Sequence, residues 1–433
     1  MSIEDQLARL KTTLEAQEAT ASFDLSAIEA DASAMLDNLK QHALQYPEPV
    51  FAVLRRFKPV LIVKGVALIT RCADVQDVLT RDDVFSVTYG PKMRVVTGQE
   101  DFFLGMANCP DYERDVAHMR TVIRRSDLPG IIAPFVAGTA EKLVAQSHGQ
   151  LEVVSQLTLP VPAMLVSAYY GCTPVSLQDL QAWASTIFQY LFTDLTNDPV
   201  VDAAARAASA NVRSWLDAAI AQQKATPTPG DTVLNRCLAL QQTGVPGMDD
   251  ITIRNNLLGI LTGAIPTTSK CCAQALDELL KRPDMLAAAQ AAALANDDAT
   301  LAQYVFEALR FNPNNPGVFR IAAEDYIVAK GTMHATLVPK GTSVLAATQS
   351  AMFDDTVVDN PNDFLINRPS YIYMHWGVGL HTCFGQYINQ VQIPAILKPL
   401  LQRKNLRRAP GPSGTLQYTG PFPSSLSVLF DEA

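Results

Sequence analysis

The chain has 433 residues, 48% of them hydrophobic, and a formal net charge of −9. That apolar content is enough for a sizeable core, and the negative balance argues against nucleic-acid binding. The seven cysteines (Cys72, Cys109, Cys172, Cys237, Cys271, Cys272 and Cys383) are odd in number and show no CxxC spacing, which argues against a disulfide framework or a zinc site and suits a reducing cytoplasm.

In chain order, residues 1–45 are rich in Ala, Leu, Glu and Asp at helical spacing and read as an N-terminal helical extension packed on the same domain. Residues 1–17 are charged and hold no apolar run, so neither a signal peptide nor a membrane span is expected. The β-branched run VLIVKGVALIT at 60–70, turning at Lys64-Gly65, predicts a strand hairpin. A short helix is expected from 75, an irregular Gly-rich stretch at 88–106, and an amphipathic charged helix from Pro110 to about Ser126. Helices are then predicted over 138–148, 151–171, 176–193, 200–224, 249–282, 285–293 and 298–311, with a Thr-Pro-Thr-Pro-Gly-Asp loop at 226–231. Short strands follow over 317–350, mostly coil over 352–382, a helix after 387, and turns with short strands at the end. No repeat and no interdomain linker appears, so residues 46–433 read as one domain, mostly α with minor β sheets.

The most specific motif is Trp376-Gly377-Val378-Gly379-Leu380-His381-Thr382-Cys383-Phe384-Gly385. A lone thiolate can be the axial ligand of a haem iron. The glycines allow tight turns close to a flat cofactor, backbone N–H groups freed by the turn can donate to the sulfur, and a following helix N-terminus favours a thiolate. The bland alternative is a buried, inert cysteine in a turn. The whole pattern resembles the haem-binding loop of the cytochrome P450 family, although that family usually has Phe where Trp376 stands.

The resemblance runs over essentially the full length and implies a soluble, bacterial-type haem-thiolate fold, with haem b (protoporphyrin IX iron) ligated by Cys383. Glu307-Ala308-Leu309-Arg310 is a Glu-x-x-Arg whose ends share a helix face. In the family such a pair, with an Arg from a later meander (here Arg368), locks the core. Arg320 lies where the family pairs an Arg with a haem propionate, a bidentate partner for a buried anion. Arg120 is a second propionate candidate, with Val116 in place of the family's usual His one turn earlier. His381 completes that set. Thr267, in Gly263-Ala264-Ile265-Pro266-Thr267-Thr268-Ser269, aligns with the family's proton-delivering Thr. Pro266 stands where the family has an acid. It cannot carry a proton, and it is expected to open or kink the helix. The bland reading of Thr267 is a hydroxyl bonded back to its own helix. Arg124 and Arg125 suit either a docking patch for an acidic electron donor or a solvated face, and Cys271-Cys272 reads as core.

The expected activity is a cytoplasmic monooxygenase that inserts one oxygen atom of O2 into an apolar small molecule. Its electrons would come from an external ferredoxin-type donor, since the sequence holds no flavin or iron–sulfur signature. The missing acid favours, as an alternative, a peroxide-driven peroxygenase or fatty-acid hydroperoxide isomerase of the same fold. A haem sensor or carrier is a third class. Substrate contacts are expected from 88–106, 186–197, 261–267, 316–319 and 420–423, where Phe102, Phe103, Phe188, Tyr190, Phe192, Phe319 and Phe422 suggest an aromatic pocket.

Overall fold

The computed structural model describes Thr12 and residues 48–173 and 176–431, so the expected N-terminal extension lies outside the described residues apart from Thr12. Two compact units emerge. One joins the residues up to Thr88 with Asn315–Thr382; the other joins Tyr89–Asn314 with the residues from Cys383 on.

The first unit is built on a five-stranded sheet. The 60–70 hairpin forms as expected, Val60–Val63 against Val66–Ile69, turning through Lys64 (φ 48°) and Gly65 (φ 75°). Val66–Ile69 pairs in parallel with Ser343–Ala346, which pairs antiparallel with Val318–Ala322, and Phe85–Val87 closes the far edge. The helix Glu48–Phe57 buries Val50, Phe51 and Leu54 against this sheet. Tyr326–Val328 and Thr336–Val338 form a separate hairpin. Residues 352–382 carry only one short 3₁₀ turn, Ser370–Ile372, in agreement with the sequence.

The second unit is helical. Its axis is the 31-residue helix Asp250–Leu280, buried along most of its length. Asp249 caps it by accepting from the Thr252 N–H at 3.0 Å. Around it pack Pro160–Tyr170, Leu177–Phe188, Pro199–Ala225, Asp298–Phe311 and Gln386–Leu401. Three local expectations differ. Residues 90–97, expected to be irregular, form a helix with Pro91 in its first turn and Gly98 in the left-handed C-terminal position. Val233–Gln242 is a helix capped by Thr232 that the sequence reading passed over. Gln150–Glu152, which overlaps the start of the helix expected over 151–171, is a strand because Ser427–Leu429, far along the chain, pairs with it.

The opening expected at Pro266 does not occur. The long helix is unbroken through residues 250–280. Among the described residues one stretch, 128–145, is long and apolar enough to cross a membrane. Its buried positions Ile132, Val136, Ala140 and Val144 fall at four-residue spacing, and the helix Ala133–Ala145 lies on Gln386–Leu401. That single stripe is the pattern of a helix lying on a protein core.

Candidate haem-thiolate site

Cys383 lies three residues before the first residue of the helix Gln386–Leu401, whose N-cap is Gly385. Of the seven cysteines, five are buried; Cys109 and Cys383 keep part of their surface. The backbone N–H groups of Gly385 and Gln386 donate toward the Cys383 sulfur, and Arg120 lies close enough to attract a thiolate. Burial nevertheless dominates and pushes the thiol above its ordinary value. A bound cation would reverse that balance, because a coordinated thiol gives up its proton.

Arg120 is on Pro110–Val122, capped at Cys109, and its burial is the larger influence on its own guanidinium, which it pushes down. It donates to the Phe384 carbonyl at 2.7 Å and lies 3.8 Å from the Phe384 ring centroid. One side chain thus pins the residue after the cysteine and adds positive charge beside the sulfur. Neither docking-patch arginine is fully uncommitted: Arg125 stacks over Tyr387 at 3.3 Å, and Arg124 reaches Asp231 at 3.6 Å.

A buried polar network, not anticipated from the sequence, ties the long helix to the helix after the cysteine. The Thr268 hydroxyl donates to Asn389 Oδ1 at 2.9 Å, and Gln392 Nε2 donates to both, at 3.0 and 2.5 Å. Asn389 also follows Gly385 by one turn, its N–H donating to the Gly385 carbonyl at 2.9 Å. The signal was present as polar residues inside two otherwise apolar helices.

In the first unit, the loop before Cys383 turns through Gly377 (φ 68°) and Gly379 (φ 82°). A Cβ at Gly379 would sit 2.3 Å from the Leu79 carbonyl oxygen, so no side chain fits there. Arg320, on the strand Val318–Ala322, is buried, and its guanidinium lies near His381. Burial first, and then this repulsion, pushes the His381 imidazole down to about 4, with Asp82 opposing weakly. Two donors held together with that repulsion suit an anionic group such as a propionate. Within the second unit, a sulfur faced by N–H donors and by Arg120 fits a thiolate ligand of a haem iron; within the first unit taken by itself, Arg320 with His381 fits a carboxylate.

The structure brings Cys383 and Arg120 together, and Arg320 and His381 together. It places Thr267 on the long helix with its hydroxyl donating back to the Gly263 carbonyl, and the single proton of the Thr268 hydroxyl is shared between Asn389 Oδ1 and the Ala264 carbonyl, the latter at 2.7 Å. Pro266 has no amide proton to offer the Thr262 carbonyl. Glu307 and Arg310 form a fully buried bidentate pair, 2.8 and 3.1 Å. Arg368 donates to the carbonyls of Asp359, Asn360 and Asp363, bracing its own meander.

The cytochrome P450 family model matches residues 190–419, just over half of the chain. A putative cytochrome P450 133B2 of Xylella fastidiosa is 24% identical over 379 residues, covering 83% of this chain and 89% of that protein. A bifunctional dioxygenase–epoxy alcohol synthase of Pyricularia oryzae is 28% identical over 210 residues, 43% of this chain; the match spans only 18% of that much longer protein. Among solved structures, P450BioI in complex with an acyl carrier protein carrying hexadec-9Z-enoic acid superposes with a TM-score of 0.77 at 17% identity, covering 91% of this chain and 99% of that one. CalO2 gives 0.76 at 21% identity, covering 91% and 97%. On the family match, the fold and the cysteine loop together, the chain belongs to the cytochrome P450 family.

Proposed function

We propose that this protein is a haem-thiolate monooxygenase acting on a mainly apolar small molecule, with electrons from an external ferredoxin-type donor. The observation that carries the reading is the Cys383 sulfur, faced by the Gly385 and Gln386 N–H groups and by Arg120. When bound, a thiolate-ligated haem activates oxygen for insertion into such a substrate. Cys383 would hold the iron. Arg320 and His381 would hold propionates, with Arg120 as a further cation. The N–H groups at the sulfur temper its electron donation, and Arg120 fixes the Phe384 carbonyl so that the sulfur keeps its position. Relatives named nocardicin C N-oxygenase from Nocardia uniformis (27% identical over 374 residues) and vitamin D3 dihydroxylase from Streptomyces griseolus (24% over 325) support an oxygenase of this kind.

We assign to Thr267 the ordering of the water that supplies protons: its hydroxyl donates to the Gly263 carbonyl, which leaves the oxygen lone pairs to accept from pocket water, and the water carries the proton. Pro266 supplies no acid beside it. That absence, with the similarity to the fungal epoxy alcohol synthase, supports a second reading in which a peroxide is the oxidant and no proton need be delivered to dioxygen.

The test measures product formed per reducing equivalent for the parent, Thr267→Ala and Pro266→Glu, with a parallel hydrogen peroxide assay. Uncoupling in Thr267→Ala, improved coupling in Pro266→Glu and negligible peroxide turnover in the parent support the monooxygenase. Strong peroxide turnover indifferent to Thr267 supports the second reading.

A further inference from the structure

The second unit contains a cavity of about 250 Å³ bounded by the end of the helix Leu177–Phe188 with its following π turn, by the long helix, and by the hairpin 417–425. The sequence suggested an aromatic pocket here, but the walls are of two kinds. Phe422, Pro423, Leu159 and Pro266 supply apolar surface, and Phe422 is backed by Phe188 at 5.5 Å between ring centroids. Thr419 of the hairpin adds a hydroxyl, and Ser185, Thr186 and Gln189, at spacings that share one helix edge, supply further polar groups. Among the described residues, none of these three side chains has a hydrogen bond to protein. Gln189 lies beside the hairpin: a Cβ at Gly420, where φ is +57°, would lie 3.5 Å from its Nε2. Ser269, also in the wall, is already engaged with the Thr158 hydroxyl at 2.8 Å. Among the described residues, no charged side chain lines the cavity.

Water can satisfy these hydroxyls and the carboxamide until a ligand displaces it. A wholly apolar ligand would strip that water and leave donors and acceptors unmet. A carboxylate would enter with no cation to receive it. A neutral group that both donates and accepts meets both conditions.

We propose that this cavity selects a neutral amphipathic substrate, an apolar body with a hydroxyl or carbonyl end hydrogen-bonded to Ser185, Thr186 and Gln189. The inference rests on the oxygenase reading and narrows it. The test uses haem-loaded protein, with loading confirmed by its carbon monoxide spectrum, and calorimetric titration with decan-1-ol, 1-chlorodecane and decanoic acid at neutral pH. Decan-1-ol should bind roughly tenfold or more tightly than either of the others, the scale set by one unmet buried polar group. Gln189→Leu combined with Ser185→Ala should reduce that preference to about threefold or less, with 1-chlorodecane binding retained. Tightest binding by decanoate, equal binding of all three probes, no binding of any, or a preference unchanged in the variant overturns the proposal. A missing thiolate band in the carbon monoxide spectrum fails the oxygenase reading instead, so the two failures are separable.

Discussion

Replacing Glu307 with Ala should prevent accumulation of folded, haem-loaded protein. Glu307 and Arg310 share one face of the helix Asp298–Phe311, and both side chains are fully buried. Arg310 is among the largest fully buried side chains of the described residues. Its Nη2 and Nε donate to the two carboxylate oxygens at 2.8 and 3.1 Å. A guanidinium cannot discard its proton in a protein, so loss of the carboxylate leaves a buried charge in place. Breaking a buried pair from one side costs about 3–5 kcal/mol, against a whole-domain stability of about 5–15 kcal/mol. About 4 kcal/mol shifts the folding equilibrium nearly a thousandfold. The assay is the denaturant midpoint together with the ratio of haem absorbance to protein. The double change Glu307→Leu, Arg310→Met should recover much of the lost stability, because it removes both charges and keeps the volume. A Glu307→Ala protein that is haem-replete, with an unchanged midpoint and reduced turnover only, would refute the structural role.

Lys270 is buried on the long helix, and burial pushes its ammonium down to about 8. Its folded value lies below its unfolded value, so the unfolded chain binds more protons between about pH 8 and 10.5. Stability therefore falls as pH drops through that window, and the full penalty, up to about 3 kcal/mol, is present below it. Lys270→Met should raise the melting temperature at pH 7, and the gain should shrink as pH approaches 10; no gain at pH 7 would count against the burial of the charge. Asn389→Leu removes an acceptor shared by Thr268 and Gln392 and should cost about 1–3 kcal/mol. An unchanged denaturant midpoint would show that the network contributes nothing to stability.

The parts of this molecule legible in the sequence are those fixed by local signals. The 60–70 hairpin was marked by its β-branched apolar run around Lys64-Gly65, and the long helix by its apolar length. The strand Gln150–Glu152 was not legible, because it exists only through pairing with Ser427–Leu429. The helix Gly90–Thr97 was obscured by the glycines and proline that actually sit at its ends. In the site, Cys383 was specified by its loop, whereas the contact of Arg120 with Phe384 depends on tertiary packing. Pro266 shows a local rule overridden: the helix continues through it, within a segment packed on many sides. The hydrogen bond of Thr267 to the Gly263 carbonyl is the one its bland reading described, a helix hydroxyl bonded back to its own backbone. The polar wall at Ser185, Thr186 and Gln189 was hidden by the aromatic residues beside it in sequence.

The central claim is that Cys383 ligates haem iron. Its most direct test is the carbon monoxide difference spectrum of the reduced protein beside that of Cys383→Ser. The parent should show the band characteristic of a thiolate-ligated iron, and the variant should lose it. A Cys383→Ser protein that retains the thiolate band, or a haem-loaded parent that lacks it, would contradict the assignment.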